Sequence, residues 1–347
     1  MSSLVGAGPW GILAGMKLRL LAAVTAVTLV LTSACGGDKK SDDEAKKGES
    51  TTVVQVSPLT GLEFPEEPPA NPVFVVKIEN SDAGEPQYAV NQADLVVEEL
   101  VEGGITRLAA FYYSTLPTKV GHVRSLRGTD AGIAAPVAAH VVASGGAEPS
   151  YEVIEAQGLT TYTEDNNAPG FSSDSAKKRP YNRLLDLTEL AAEAADSPVP
   201  GPYFEFLPVG QEITLPGDAH AVTSASVTFS SSHTTEFAFA DGGWTRVNGH
   251  AAPGEEFVAN NLVVVFAPVQ DAGYRDSGGS EVPETVFEGT GRAVVAIGGS
   301  VFEGTWSKDS KSDVLSIVDA AGESVAIPAG KTWIELVPQD DGAATFE

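Results

Sequence analysis

The 347-residue chain contains a single cysteine, Cys35. A disulfide within the chain is therefore excluded, and a zinc site built on thiolates has no ligands to use. The histidines, His122, His140, His220, His233 and His250, show neither H-x-x-x-H nor H-E-x-x-H spacing. No metal and no cofactor are expected. The G-x-G-x-x-G and Walker fingerprints are missing as well. Basic residues are scarce: 21 lysines and arginines face 47 acids, a formal net charge of −26. That balance argues against nucleic acid, and against an electrostatic hold on anionic lipid or teichoic acid. Few stretches sustain a 3.6-residue apolar period, while 36 glycines and 22 prolines punctuate the chain. Strands should outnumber helices.

Long hydrophobic runs are also lacking. The most apolar stretch, Leu20 to Leu31, spans about 12 residues, where a membrane span needs roughly 17–25. It follows Lys17 and Arg19 and leads into Thr32, Ser33, Ala34 and Cys35. A charged start, a short apolar core and small residues before a cysteine form the signature of an exported bacterial lipoprotein. A retained transmembrane anchor is the alternative. The position three before Cys35 usually favours Leu; here it is Thr32, with Leu31 one place early. Residues 1–15 carry no charged side chain, whereas Met16-Lys17-Leu18-Arg19 supplies the charges that stay on the cytoplasmic side. Met16 is therefore the expected start, with Cys35 the lipidated residue. The expected location is the extracytoplasmic face of the cell membrane. Loss of Lys17 and Arg19 with the signal takes the charge from −26 to about −28, so the acyl chains hold the protein there against repulsion.

Residues 36–56 read as a disordered, charged tether. The predicted fold is α+β: a mixed, layered α/β domain over 57–196, a Pro/Gly-rich connector over 197–218, and a mostly antiparallel β domain over 219–338. A tail, 339–347, follows. In the first domain, apolar runs at 73–78, 95–100, 108–113, 120–124 and 140–143 read as strands. Segments 128–139, 151–156 and 186–195 read as helices, the last capped by Asp186 or Thr188 with a Leu187, Leu190, Ala194 stripe. Alternation of the two suggests layers. In the second domain, short strands are expected at 225–229, 236–240, 245–247, 262–266, 292–297, 300–306, 314–318, 324–327 and 332–336. Asp241-Gly242-Gly243, Asn248-Gly249 and Gly298-Gly299 are hairpin signals.

Several motifs occur in a fixed order. They are Ser57-Pro58-Leu59-Thr60-Gly61; Ala93-Asp94-Leu95-Val96-Val97-Glu98 through Glu102-Gly103-Gly104-Ile105-Thr106-Arg107; and Lys119-Val120-Gly121-His122-Val123-Arg124-Ser125-Leu126-Arg127. Gly304-Thr305-Trp306-Ser307-Lys308 and Pro328-Ala329-Gly330-Lys331-Thr332-Trp333-Ile334 come later. Together they resemble the YerB-like lipoproteins of Gram-positive bacteria, over nearly all of 57–338. The resemblance implies a two-domain, lipid-anchored extracytoplasmic protein and no established reaction. An aromatic residue expected before Glu98 is Val97. A Pro-His-Asn signature is here Pro180-Tyr181-Asn182, so a catalytic role for that histidine could not operate in this chain.

In so acidic a chain the sharpest cluster is basic. Arg107, Arg124 and Arg127 offer planar forks suited to carboxylate or phosphate, near a strand-to-helix junction whose backbone donors would favour an anion. With Ser125 and Asn182 they form the candidate ligand set. The structural alternative pairs these arginines with Glu98 and Glu102 as buried ion pairs. Those glutamates are also the candidate acid/base pair. Ser175-Ala176-Lys177-Lys178 fits S-x-x-K, but Ser173-Asp174-Ser175 overlaps it and Lys331-Thr332-Trp333 lacks the final glycine, so an acyl-enzyme is set aside. Ser144-Gly145-Gly146 reads as a turn, or as an anion loop. Trp244, Trp306 and Trp333 read as core, or as sugar-stacking platforms.

The leading expectation is an exported, lipid-anchored envelope protein binding an anionic ligand or partner through an arginine-lined pocket. One alternative is an enzyme acting on cell-wall polymer or a lipid-linked precursor. Another is a scaffold that contacts only envelope-synthesis proteins. An enzyme needs the arginines to converge with an ionisable group in an open cleft.

Overall fold

A computed structural model describes residues 55–347. The signal, Met16, Cys35 and nearly all of the expected tether lie outside the described residues. At the tether's end Val56 already bridges to Glu63. Among the described residues no helix is long and apolar enough to cross a membrane.

The fold is mostly β, with the few helices in the N-terminal half. Its frame is one 11-stranded sheet to which both halves of the chain contribute, ten strands in a continuous order and an eleventh, His220–Ala221, paired beside Ser300–Lys308. From the C-terminal half it runs Ser316–Asp319, Ser300–Lys308, Gly289–Ile297, Asn261–Ala267 and Thr332–Pro338. It continues through Leu95–Leu100, Thr106–Tyr112, Phe74–Glu79, His140–Ala143 and Thr161–Thr163. Strand Thr332–Pro338 is the joint: it pairs in parallel with Asn261–Ala267 on one side and Leu95–Leu100 on the other. The segments expected as two domains thus meet inside a single sheet, and the expected antiparallel pattern gives way to parallel pairing at that joint.

Parallel central strands are covered on both faces and read as continuous apolar runs. Every residue of Asn261–Ala267 and Thr332–Pro338 is buried. Alternation then divides their side chains. Val97, Val263, Val265, Ile334 and Leu336 face a core that holds Trp306, Phe287 and Tyr203. Val96, Leu262, Val264, Trp333 and Val337 face a second core, shared with Phe229, Phe237 and Trp244. The second core is roofed by a five-stranded sheet made of Val258–Ala259, Gly243–Arg246, His233–Ala240, Ser224–Ser230 and Ala343–Phe346. Ser224–Ser230 alternates strictly, with Ala225, Val227 and Phe229 inward.

Several expected elements change length. The 128–139 helix shrinks to Asp130–Ala134 plus a 3-10 turn, Ala135–Val137. Pro136 and the left-handed Ala138 (φ 47°) stop it. The 120–124 strand is only Val120–Gly121, and 324–327 makes isolated bridges rather than a strand. Helix Glu148–Ala156 starts earlier than expected, with Pro149 in its first turn. Helix Leu187–Glu193 is capped by Asp186, whose Oδ1 accepts from the N–H of Thr188 (2.9 Å) and Glu189 (3.3 Å). Asp241 and Gly242, at φ 52° and 82°, turn the hairpin between the roof strands. Asn248-Gly249 is no tight hairpin: Asn248 instead bonds Glu236 N and Thr234 O of the roof strand. The hairpin Val269–Arg275/Glu281–Thr285 is new; its exposed, acidic, glycine-rich sequence has no apolar alternation to announce it.

Candidate functional site

Charged residues on the strands around the joint form two buried networks on opposite faces of the sheet. Strand register sets the first. Arg107 lies between Glu79 and Glu99 on the neighbouring strands. Lys77, one pleat from Glu79, places its Nζ against Glu99 and 2.7 Å from Asp130 Oδ1, all three fully buried. Burial drives the Glu99 carboxyl up to about 7, although Lys77 opposes it.

The segment Arg124 to Arg127 crosses the end of these strands. It is fixed by Arg124 N to Lys77 O (2.9 Å) and Leu126 N to Gly145 O (3.0 Å). Glu102 draws in two of the three candidate arginines. Arg107 Nη2 donates to Glu102 Oε1 at 3.0 Å, and Arg127 grips the same carboxylate in bidentate fashion, with Nε to Oε2 at 2.9 Å. Arg107 also donates to Ser125 O at 3.0 Å. Burial raises Glu102, but the two guanidinium groups outweigh it and hold the carboxyl near 2. Arg107 is pushed down to about 10 by burial and by Arg127 beside it.

Arg124 stands apart. Its Nε is 3.1 Å from Glu79 Oε2, and its guanidinium lies over the Tyr181 ring at 4.8 Å. Tyr181 is the residue at which the resemblance leads one to expect histidine. Asn182 follows it, with Oδ1 buried and unpartnered among the described residues. The expected helix N-terminus adds nothing to anion binding. The helix has five residues, and Asp130 Oδ2 already accepts from Arg127 N at 2.7 Å.

Glu98 does not join the arginines. One residue from Glu99 it points to the other face, under the roof sheet. There its carboxylate accepts from Thr106 Oγ1 (2.6 Å), Asn80 Nδ2 (3.0 Å) and Thr235 Oγ1 (3.0 Å). It also pairs with His233 Nε2 at 2.7 Å and Arg246 Nη1 at 3.5 Å. Burial opposes ionisation, yet Arg246 and His233 hold Glu98 near 2. Beside it, in register on the joint strand, lies Glu335, fully buried with both carboxyl oxygens unpartnered. Burial, and then the Glu98 charge, raise Glu335 well above the usual carboxylate range. Glu98 and Glu102 therefore lie in separate networks, and the carboxyl beside Glu98 is that of Glu335, a neighbour that sequence spacing could not reveal. Lys77 and Glu335 did leave a signal: each is a charge flanked on both sides by apolar residues within a strand.

Other candidates resolve into structure. Ser175 and Lys178 sit in an exposed loop. Gly145, at φ 153°, turns a loop whose carbonyl receives Leu126. Trp244, Trp306 and Trp333 are buried in the two cores.

Two family models match the chain in order. The N-terminal domain of a protein of unknown function, DUF3048, covers residues 59–200, and the DUF3048 C-terminal domain covers 225–334. The chain is 24% identical over 318 residues to a Bacillus subtilis protein named "Putative lipoprotein YerB", spanning 83% of this chain and 88% of that protein. It superposes on the crystal structure of YerB from Bacillus subtilis with a TM-score of 0.69 at 20% identity, covering 84% of this chain and 99% of that one. The chain belongs to the DUF3048 family, both regions of which it carries in one sheet.

Proposed function

We propose that this protein is an exported lipoprotein, anchored through Cys35, that presents a basic face to an anionic ligand of the cell envelope. One observation carries the reading. Lys119, Arg124, Arg127, Lys177, Lys178, Arg179 and Arg183, a third of the 21 basic residues, fall in two short segments that are bonded together, with Lys119, Lys178 and Arg179 exposed and Arg127 and Arg183 buried. Val120–Gly121 pairs with Arg183–Leu185, Val123 N donates to Arg183 O (2.7 Å), and Arg124 Nη1 reaches Pro180 O at 3.4 Å. Acids are part of this face: Glu79 holds Arg124, Glu102 holds Arg127, and Glu164 holds Arg179 and Arg183. Lys178 and Lys119 carry no carboxylate partner among the described residues; Lys119 lies over the Tyr88 ring at 3.4 Å. In a chain of net charge −26, a local cationic face is where a phosphate- or carboxylate-bearing polymer or lipid-linked precursor can approach. The name of the Bacillus relative supports the lipoprotein part.

The ligand part is tested by thermal shift of the protein with lipid-linked and teichoic acid fragments. A salt-sensitive rise in Tm is expected, and no shift with any of them contradicts the reading. Anchoring is tested separately by acyl labelling: Cys35→Ala should lose both the label and membrane association.

A further inference from the structure

We propose a second, independent ligand site between the two sheets, shaped for a small uncharged amide. An open pocket of about 90 Å³ lies where the roof strand Gly243–Arg246 and the loop after it meet Gln87 and Val90. Its apolar walls include Phe257 and Trp333, whose rings meet edge-on with centroids 5.8 Å apart. Two polar side chains line it with capacity to spare. Gln87 spends both hydrogen bonds of its Nε2, on Glu79 O (2.8 Å) and Asn80 Oδ1 (3.1 Å), and its Oε1 accepts no hydrogen bond among the described residues. Arg246 spends Nη1 on Asn80 Oδ1 (2.7 Å) and Nε on Asn248 Oδ1 (3.3 Å), and its Nη2 makes no hydrogen bond among the described residues.

A second observation points the same way. Trp333, whose ring lines the pocket, has its Nε1 buried with no partner in hydrogen-bond geometry among the described residues. Native interiors rarely leave such groups unpaired. That unspent donor belongs to a residue of the pocket wall.

Charge decides the ligand class. Arg246 is already matched by Glu98, and Glu256 also lines the pocket. A further carboxylate would meet those acids. A neutral amide fits instead: its carbonyl oxygen accepts from Arg246 Nη2, its N–H donates to Gln87 Oε1, and a small side chain packs against Val90, Phe257 and Trp333. The end or backbone of a short peptide has this chemistry.

The test is a titration of the full chain, followed by the indole and guanidinium N–H resonances in NMR, with N-acetyl-alaninamide against its acid, N-acetyl-alanine. The amide should shift the Trp333 and Arg246 signals saturably, and the acid should bind at least tenfold more weakly. Ala251→Phe, which fills the pocket, should abolish the shifts while leaving Tm near that of the parent. Gln87→Met should weaken binding of the amide. No saturable shift, equal or tighter binding of the acid, or an unchanged titration in Ala251→Phe overturns the proposal, as does a soaked crystal holding only water in the pocket.

Discussion

Glu98 and Glu99, consecutive on strand Leu95–Leu100, send their carboxyl groups to opposite faces of the sheet and shift in opposite directions. Both are fully buried. Partners make the difference. Glu98 meets Arg246, His233 and three further donors, and titrates near 2. Glu99 faces Lys77, but shares it with Asp130, and titrates near 7. The one-residue alternation of a strand thus places two unlike charge environments a few ångströms apart.

Stability should therefore fall on both sides of a mildly acidic optimum. Glu98 and Glu102, lowered from 4.5 to about 2, contribute stability above 4.5 that is lost as pH falls toward 2. Glu99, raised to about 7, contributes stability that is complete below 4.5 and lost as pH rises through 7; Glu335 acts in the same direction. Thermal melts should peak near about pH 5. Glu99→Gln should flatten the alkaline limb and leave the acid limb in place.

Glu102→Ala leaves two buried guanidinium groups without their shared anion. Loss of one partner in a buried network costs about 3–5 kcal/mol. Glu102→Gln, which keeps hydrogen-bond acceptance, should cost less. Urea midpoints of the two variants check the order; equal losses would show that the charge itself contributes little.

Arg246→Met removes the cation from the roof-sheet side of Glu98 and should cost a similar amount, about 3–5 kcal/mol. Because the contact joins the roof to the main sheet, amide exchange should accelerate first in Gly243–Arg246 and His233–Ala240. Uniform acceleration throughout the chain would contradict a clamping role.

Gly291 lies beneath the Trp306 indole, which donates to Phe266 O at 2.9 Å. A Cβ there would stand 2.6 Å from that carbonyl and 2.7 Å from the indole nitrogen. Gly291→Ala should cost about 1–3 kcal/mol by overpacking, read as a lowered Tm with altered Trp fluorescence.

Much of the frame was readable from sequence because apolar runs bounded by turn residues mark buried strands. Leu95–Leu100 and His140–Ala143 have the bounds expected. The joint at Thr332–Pro338 was not readable, since nothing local records that two strands more than 200 positions apart lie side by side. The arginine cluster was singled out by its rarity in an acidic chain, and its bond to Glu102 by proximity. The partners of Glu98 include His233 and Arg246, 135 and 148 positions away, which nothing local records either. Tyr181 under Arg124 came from a departure in a motif, not from any periodicity.

The central claim, that the segments around Arg124 and Lys178 bind an anionic envelope polymer, is tested most directly by charge reversal. Equilibrium binding of poly(glycerol phosphate) to the full chain is compared with binding to a Lys178→Glu/Arg179→Gln double variant of matched Tm. The account predicts saturable, salt-weakened binding to the parent and at least tenfold weaker binding to the variant. Equal affinity in the two proteins, or no binding to the parent, would contradict it.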